Sequence, residues 1–232
     1  MFGRLSLVAA VVLLAASTAN AQLCAGAASY ASGKMQVGGQ FTDVGDDYSS
    51  YGVGLNFGKR TGLYGGGSIG NNDYEFLDES GLWIGAGGGY QLQPMRNGAQ
   101  ICPVVSLNLG MGPNDIGGTG TDMSARQFAA GATVGMVAHR TPTFQIIPTG
   151  GLSIVNWKIT LDGPGGSADE SDTFFALDLG AGFVFNSVWT IRPMLSIPFG
   201  DDGRDESFGL NASYNFGRPA GAAPARRPTP RR

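Results

Sequence analysis

Histidine occurs once in this 232-residue chain, cysteine twice, and charged residues make up only 14% of it. Hydrolytic chemistry on a side-chain base or dyad usually draws on histidine. The single copy, His139, sits in a short turn beside Arg140, away from every acidic stretch. Two cysteines cannot assemble a zinc set. Gly65 to Gly70 reads G-x-G-x-x-G, but an acidic stretch follows where a nucleotide fingerprint needs a helix. The adjacent acids Asp46-Asp47 and Asp201-Asp202 read as solvated surface charge. Lys and Arg are scattered and the net charge is −3, so no basic face for nucleic acid exists. The sequence predicts no catalytic residues, no metal centre, no cofactor and no enzyme activity.

Long apolar runs are also scarce. Leu5 to Ala16 is apolar apart from Ser6, follows Arg4, and precedes Ala19-Asn20-Ala21, with small residues where a signal peptidase reads them. Residues 1–21 therefore read as a secretory signal peptide. Cys24 is not a lipobox cysteine, because Leu23 stands where a small residue is needed. No later segment approaches the roughly 18 apolar residues of a membrane helix. Any membrane crossing must be made by strands.

What is abundant is glycine, 39 residues, with no Gly-x-y period, so a collagen-like chain is excluded. Aromatic residues at 10% and apolar residues at 42% exclude a wholly disordered one. From Lys34 onward the dominant period is two. Tyr51, Val53, Leu55 and Phe57 alternate with Gly52, Gly54 and Asn56; Phe175, Leu177, Leu179, Ala181, Phe183 and Phe185 alternate with Ala176, Asp178, Gly180 and Gly182. Such segments are strands with one bulky face and one small or polar face. Ten are read, over 33–44, 49–58, 62–70, 81–93, 100–111, 126–138, 144–159, 173–185, 188–199 and 207–216, with eight strands as the alternative. Trp83 interrupts the small face of its segment, and Gly150-Gly151 is read as a bulge that flips parity. Pro103, Pro148, Pro193 and Pro198 remove ladder donors within these segments.

A soluble sandwich or barrel would bury the bulky face and carry charge on the other. Here the other face is Gly, Ser, Thr, Asn and Gln. A membrane barrel reverses the assignment, with bulky residues toward lipid and small polar ones in the lumen. The charges agree. Every acid except Asp178 lies in or at the edge of a connection between an odd and the following even segment, Asp43 at the end of its segment, while the shorter even-to-odd connections carry Lys59, Arg60, Arg96 and Arg140. One end is long and acidic, the other short and basic, as in outer-membrane barrels. The predicted fold is an all-β, antiparallel up-and-down transmembrane β-barrel of about ten strands, with Tyr51, Trp83, Tyr90, Trp189 and Tyr214 as interfacial ring residues.

Over residues 33–216 the chain resembles small outer-membrane β-barrels of the OmpA-like and opacity-protein type. Ser207 to Phe216, with Gly209, Tyr214 and Phe216, is similar to the closing strand that the barrel-insertion machinery recognises, although sixteen residues follow it. That tail, 217–232, is Pro- and Arg-rich and reads as disordered, and it is too short for a peptidoglycan-binding domain. Residues 22–32 read as an N-terminal periplasmic segment. The resemblance implies a Gram-negative outer membrane, with its lipid and lipopolysaccharide as surroundings.

Three side-chain expectations follow. Cys24 and Cys102 both fall at the basic end, Cys102 with lumenal parity, so in an oxidising compartment they are expected to form a disulfide that pins residues 22–32 as a partial plug; two unpaired thiols are the alternative. Asp178 and Arg192 are expected in the lumen, about four residues out of register, with Gln36 or Gln40 as other partners for Arg192. The acidic connections are expected outside the cell, where a partner or divalent cations could bind. Two functions stay open: a structural or surface-interaction barrel, and a narrow passive channel for small solutes or hydrophobic compounds.

Overall fold

The computed structural model describes residues 23–27, 35–45, 48–58, 62–74, 77, 79–200 and 205–216. The signal peptide, residues 28–34, the tail 217–232, Lys59, Arg60, Asp46-Asp47 and Asp201-Asp202 lie outside the described residues. Eleven strands form one antiparallel sheet: β1 Met35–Val44, β2 Tyr48–Gly58, β3 Gly62–Tyr74, β4 Glu79–Gln91, β5 Gln100–Met111, β6 Asp122–Gly135, β7 His139–Arg140, β8 Phe144–Gly163, β9 Gly166–Phe185, β10 Trp189–Phe199 and β11 Ser207–Asn215. β7 is a two-residue piece laid on β8 within the β6–β8 connection. The other ten close into a ring, because β1 pairs with β11 and β6 pairs with β8. Closure leaves no strand edge within the ring, which is what lets a sheet cross hydrocarbon. Helix among the described residues is limited to two three-residue 3-10 turns, so no helix could cross a membrane.

The bulky faces point outward. Val53, Leu55, Phe57, Ile84, Val105, Leu107, Phe128, Leu152, Phe175 and Leu210 are all exposed. The small and polar faces point inward, where Gln36, Gln100, Thr149, Thr190, Ser213 and Asn215 are buried. This inverts a soluble protein, as the residue pattern required.

Two expectations are corrected. Gly150-Gly151 is not a bulge: β8 and β9 stay in one register from Phe144↔Phe185 to Gly163↔Gly166, and parity holds through Ile147 and Val155 (buried) and Leu152 and Ile154 (exposed). The residues 162–172 are not an acidic loop. β8 and β9 run 20 residues each and turn over Pro164-Gly165, so Asp162, Asp169, Glu170 and Asp172 are strand residues. Glycine and charge made that segment resemble a connection. The prolines are absorbed locally: pairing of β10 with β9 lapses between Ile191↔Phe183 and Met194↔Gly180, around Pro193, and resumes in the same register.

Candidate functional site

The lumen is the candidate site, and its two ends are built differently. At the basic end, residues 23–27 turn into the mouth, with the Gly26 amide donating to the Leu23 carbonyl at 3.0 Å. Gly26 has φ +57°, a conformation that favours glycine. Leu23 packs with Val137, Ile147 and Val184 in an apolar cluster, and Leu23 is 1% exposed. The backbone of this turn lies against two glycines of the wall. A Cβ on Gly135 would collide with the Leu23 carbonyl oxygen, and one on Gly182 with that of Gly26. Two of the abundant glycines are therefore sockets for the N-terminal turn.

Cys24 and Cys102 form a disulfide across 78 residues of sequence. Cross-linking a loop of that length stabilises by about 4.5 kcal/mol in the chain-entropy picture. The expected plug is present over its described part, residues 23–27.

Above the turn, Arg192 points inward from β10 and its Nη2 donates to Thr149 Oγ1 at 3.4 Å. Its stem and Nε lie 3.2 Å from where a Gly26 side chain would start, so the guanidinium lies over the turn. Asp178 faces inward opposite Ser196. The two lumen charges do not form an ion pair; among the described residues the ion pair is Lys158–Asp169. Gln36 is not the partner of Arg192 either: it donates to Ser213 Oγ at 2.8 Å. Four residues of register separate Asp178 from Arg192, whose side chain instead crosses Gly180 of β9 to reach Thr149 on β8.

On the side of β1–β4 and β11 the wall is nearly bare. Gly38, Gly54, Gly66 and Gly87 leave a hollow of about 160 Å³, with polar groups supplied by Gln40, Asn56, Ser68, Tyr64, Asn211 and Ser213. Toward the acidic end the interior fills again. Val155, Phe174 and Ala176 form an apolar cluster with Ala129 and Trp157 against it.

Trp83 is here too, 6% exposed, and this corrects its assignment as a ring residue. A Cβ on Gly52 would stand 2.6 Å from Trp83 Cζ2, and one on Gly70 2.7 Å from Cε2. The indole lies on a glycine floor from two neighbouring strands. Its break in alternation was the readable signal: a bulky residue on the small face is a lumen filler. Of the other ring residues, Tyr51, Tyr90 and Trp189 are exposed, and Trp189 packs edge-on against Tyr214, centroids 4.8 Å apart. Tyr214 packs against Phe216 in turn, which places the aromatic end of the closing strand on the outer surface, while Gly209 faces inward opposite Thr42 of β1.

The match to known proteins follows this geometry. Residues 6–216 match the family model for the outer membrane protein beta-barrel domain. The chain belongs to the outer membrane beta-barrel family. A barrel of this family resides in the outer membrane of Gram-negative cells. Among solved structures it is similar to the attachment invasion locus protein Ail of Yersinia pestis, with 15% identity, a TM-score of 0.45, and coverage of 79% of this chain and 97% of that one. It is also similar to the N-terminal β-barrel domain of Pseudomonas aeruginosa OprF, with 11% identity, a TM-score of 0.36, and coverage of 79% and 99%. No curated protein matches the chain.

The acidic end of this outer membrane barrel uses several of its carboxylates internally. Asp115 Oδ1 accepts from the Gly120 amide at 2.6 Å, Asp122 Oδ1 from the Asp115 amide at 3.0 Å, and Glu79 Oε1 from the Gly117 amide at 3.1 Å. These acids fasten the β5–β6 connection to itself and to β4. No metal-holding group of His, Cys, Asp and Glu occurs among the described residues. Asp169 accepts from Lys158 Nζ at 2.7 Å and Thr160 Oγ1 at 2.6 Å. Those two donors hold its carboxyl below the usual carboxylate range, and Arg126 nearby adds to the effect.

Proposed function

We propose that this barrel is a closed, non-conducting display scaffold, with its acidic end outside the cell and a structural or surface-interaction role. The observation that carries this reading is the turn of residues 23–27, seated in the mouth at the basic end and tied to β5 by the disulfide. The stepped outer rim supports it: β9 has 20 residues and β10 has 11, so β9 rises past β10 at the acidic end, while β8 stays paired with β6 as far as Asp122↔Asp162. Neither feature serves transport. His139, the one imidazole, lies tilted against Phe144 with ring centroids 6.2 Å apart, at the opposite end from the acids, which supports a role without catalysis.

The second reading, a narrow passive channel for small solutes, draws support from the polar hollow beside β1–β4. Planar-bilayer recording separates the two. Purified protein with its disulfide intact should add no discrete conductance steps; reproducible, voltage-stable steps from that same protein would install the channel reading instead.

A further inference from the structure

The hollow beside β1–β4 is walled by five neighbouring staves, β11, β1, β2, β3 and β4. Its polar side chains come in register. Gln40 faces Asn211 across the β1–β11 ladder, Ser68 lies opposite Gly54, and Asn56 lies opposite Gly66. Gly66 is a seat for Asn56, since a Cβ there would collide with the Asn56 amide oxygen. Trp83 borders the hollow toward the acidic end: a Cβ on Gly85 would stand 3.3 Å from its Cζ3 and 3.0 Å from Ser68 Oγ. These polar groups are not spent on the protein. Gln36, nearer the basic end, donates to Ser213 Oγ at 2.8 Å. Among the described residues, the side chains of Gln40, Asn56, Ser68 and Asn211 make no such bond and present their donors and acceptors to the hollow.

An amide side chain sets an acceptor oxygen beside a two-hydrogen donor, and a hydroxyl does both at one atom. Three amides and a hydroxyl around one hollow therefore complement a run of vicinal hydroxyls, each of which donates and accepts. Charge and size narrow the class. None of the residues lining the hollow is charged. A carboxylate, phosphate or ammonium would lose its water there without gaining a counter-charge. An apolar solute would strip water from the amides and return no hydrogen bond. The volume of about 160 Å³ equals roughly five waters at about 30 Å³ each, which suits a chain of about four or five hydroxyl-bearing carbons and excludes a disaccharide.

We infer that this hollow is a binding site for a short, neutral polyol, held by the amides of Gln40, Asn56 and Asn211 and by the Ser68 hydroxyl. The inference goes beyond the scaffold reading. With the basic mouth sealed, the hollow is a blind chamber that holds a solute without passing it.

The test titrates xylitol into the full mature, disulfide-linked protein in detergent micelles and follows the side-chain amide signals by NMR. Those of Gln40, Asn56 and Asn211 should shift together and saturate. That of Asn156, which donates to Thr173 Oγ1 at 2.9 Å near the acidic end, should stay in place. D-xylonate, with a carboxylate in place of one terminal alcohol, should bind about tenfold more weakly or worse. Maltitol should shift none of the three. Asn56→Leu combined with Asn211→Leu keeps side-chain size and removes two amides, so xylitol affinity read on Gln40 should fall about tenfold or more. Heat-modifiable gel mobility checks that this variant is folded; if it is not, Gln40→Leu read on Asn56 takes its place, with the same loss expected. Absence of saturable shifts, equal affinity for xylonate, a maltitol shift, or native affinity in a folded variant would each overturn the site. The scaffold reading fails separately. Xylitol-driven swelling of liposomes carrying the native protein would sink that reading and leave the site standing, whereas unswollen liposomes with no amide shift would sink the site alone.

Discussion

At the scale of single residues, the glycines divide into kinds that composition alone cannot separate. Gly135 and Gly182 accept the backbone of the N-terminal turn, and Gly52 and Gly70 accept the Trp83 indole. Gly150 faces lipid, and a Cβ there would find its nearest neighbours at 3.9 Å. Gly182→Ala should therefore lower stability by about 1–3 kcal/mol, the usual cost of overpacking. It should also expose residues 23–27 to protease in the folded, disulfide-linked protein, whereas Gly150→Ala should do neither. Urea unfolding followed on a heat-modifiable gel, with limited proteolysis, measures both. The tryptophans offer a parallel test. Trp189 is 55% exposed on the lipid face and Trp83 only 6% exposed in the lumen. Brominated lipids should quench Trp189 emission and leave Trp83 bright in single-tryptophan variants; strong quenching of Trp83 would return it to the interfacial ring.

At the scale of elements, alternation carried most of the strand reading because lipid and lumen demand opposite side chains at every second residue. It placed β2, β5 and β10 to within a residue or two of their observed bounds. It broke down where that demand ends. Outside the membrane a strand has no apolar face to maintain, so the outer ends of β8 and β9 read as a loop. Trp83 and the Gly150-Gly151 pair were misread for a related reason, because the lumen tolerates both very large and very small residues. The lumen charges Asp178 and Arg192 were legible as inward-facing, but the bond of Arg192 to Thr149 crosses the glycines of β9 to the strand beyond, a reach that alternation does not reveal.

The outer hairpin has its own prediction. The carboxyl of Asp169 is held low in the folded protein, so its contribution to stability is fully present above the ordinary carboxylate range. That contribution is lost as pH falls below the range, when Asp169 protonates. Amide exchange at the tip of β8–β9 should accelerate under acid while the membrane-embedded ladder stays protected. Asp169→Asn should show the faster exchange already at neutral pH and lose the acid dependence.

At the scale of the whole molecule, the barrel joins a sealed end to a displayed one. The seal has two parts that can be separated. The disulfide tethers the turn, and burial of Leu23 against Val137, Ile147 and Val184 adds about 1.5–3 kcal/mol of apolar stabilisation. Reducing the disulfide alone should thus give a barrel that is shut most of the time and opens intermittently, seen as brief, flickering conductance in a planar bilayer. Cys24→Ser combined with Leu23→Asp removes both parts and puts a charge where the apolar cluster was. It should give long-lived openings, since the hollow beside β1–β4 is already polar and bare. The order native, reduced, doubly substituted is the decisive feature, because each step removes one named restraint on the same five residues. If all three proteins were equally silent, the apolar cluster of Val155, Phe174 and Trp157 would be the true barrier, and the N-terminal turn would be a brace rather than a seal.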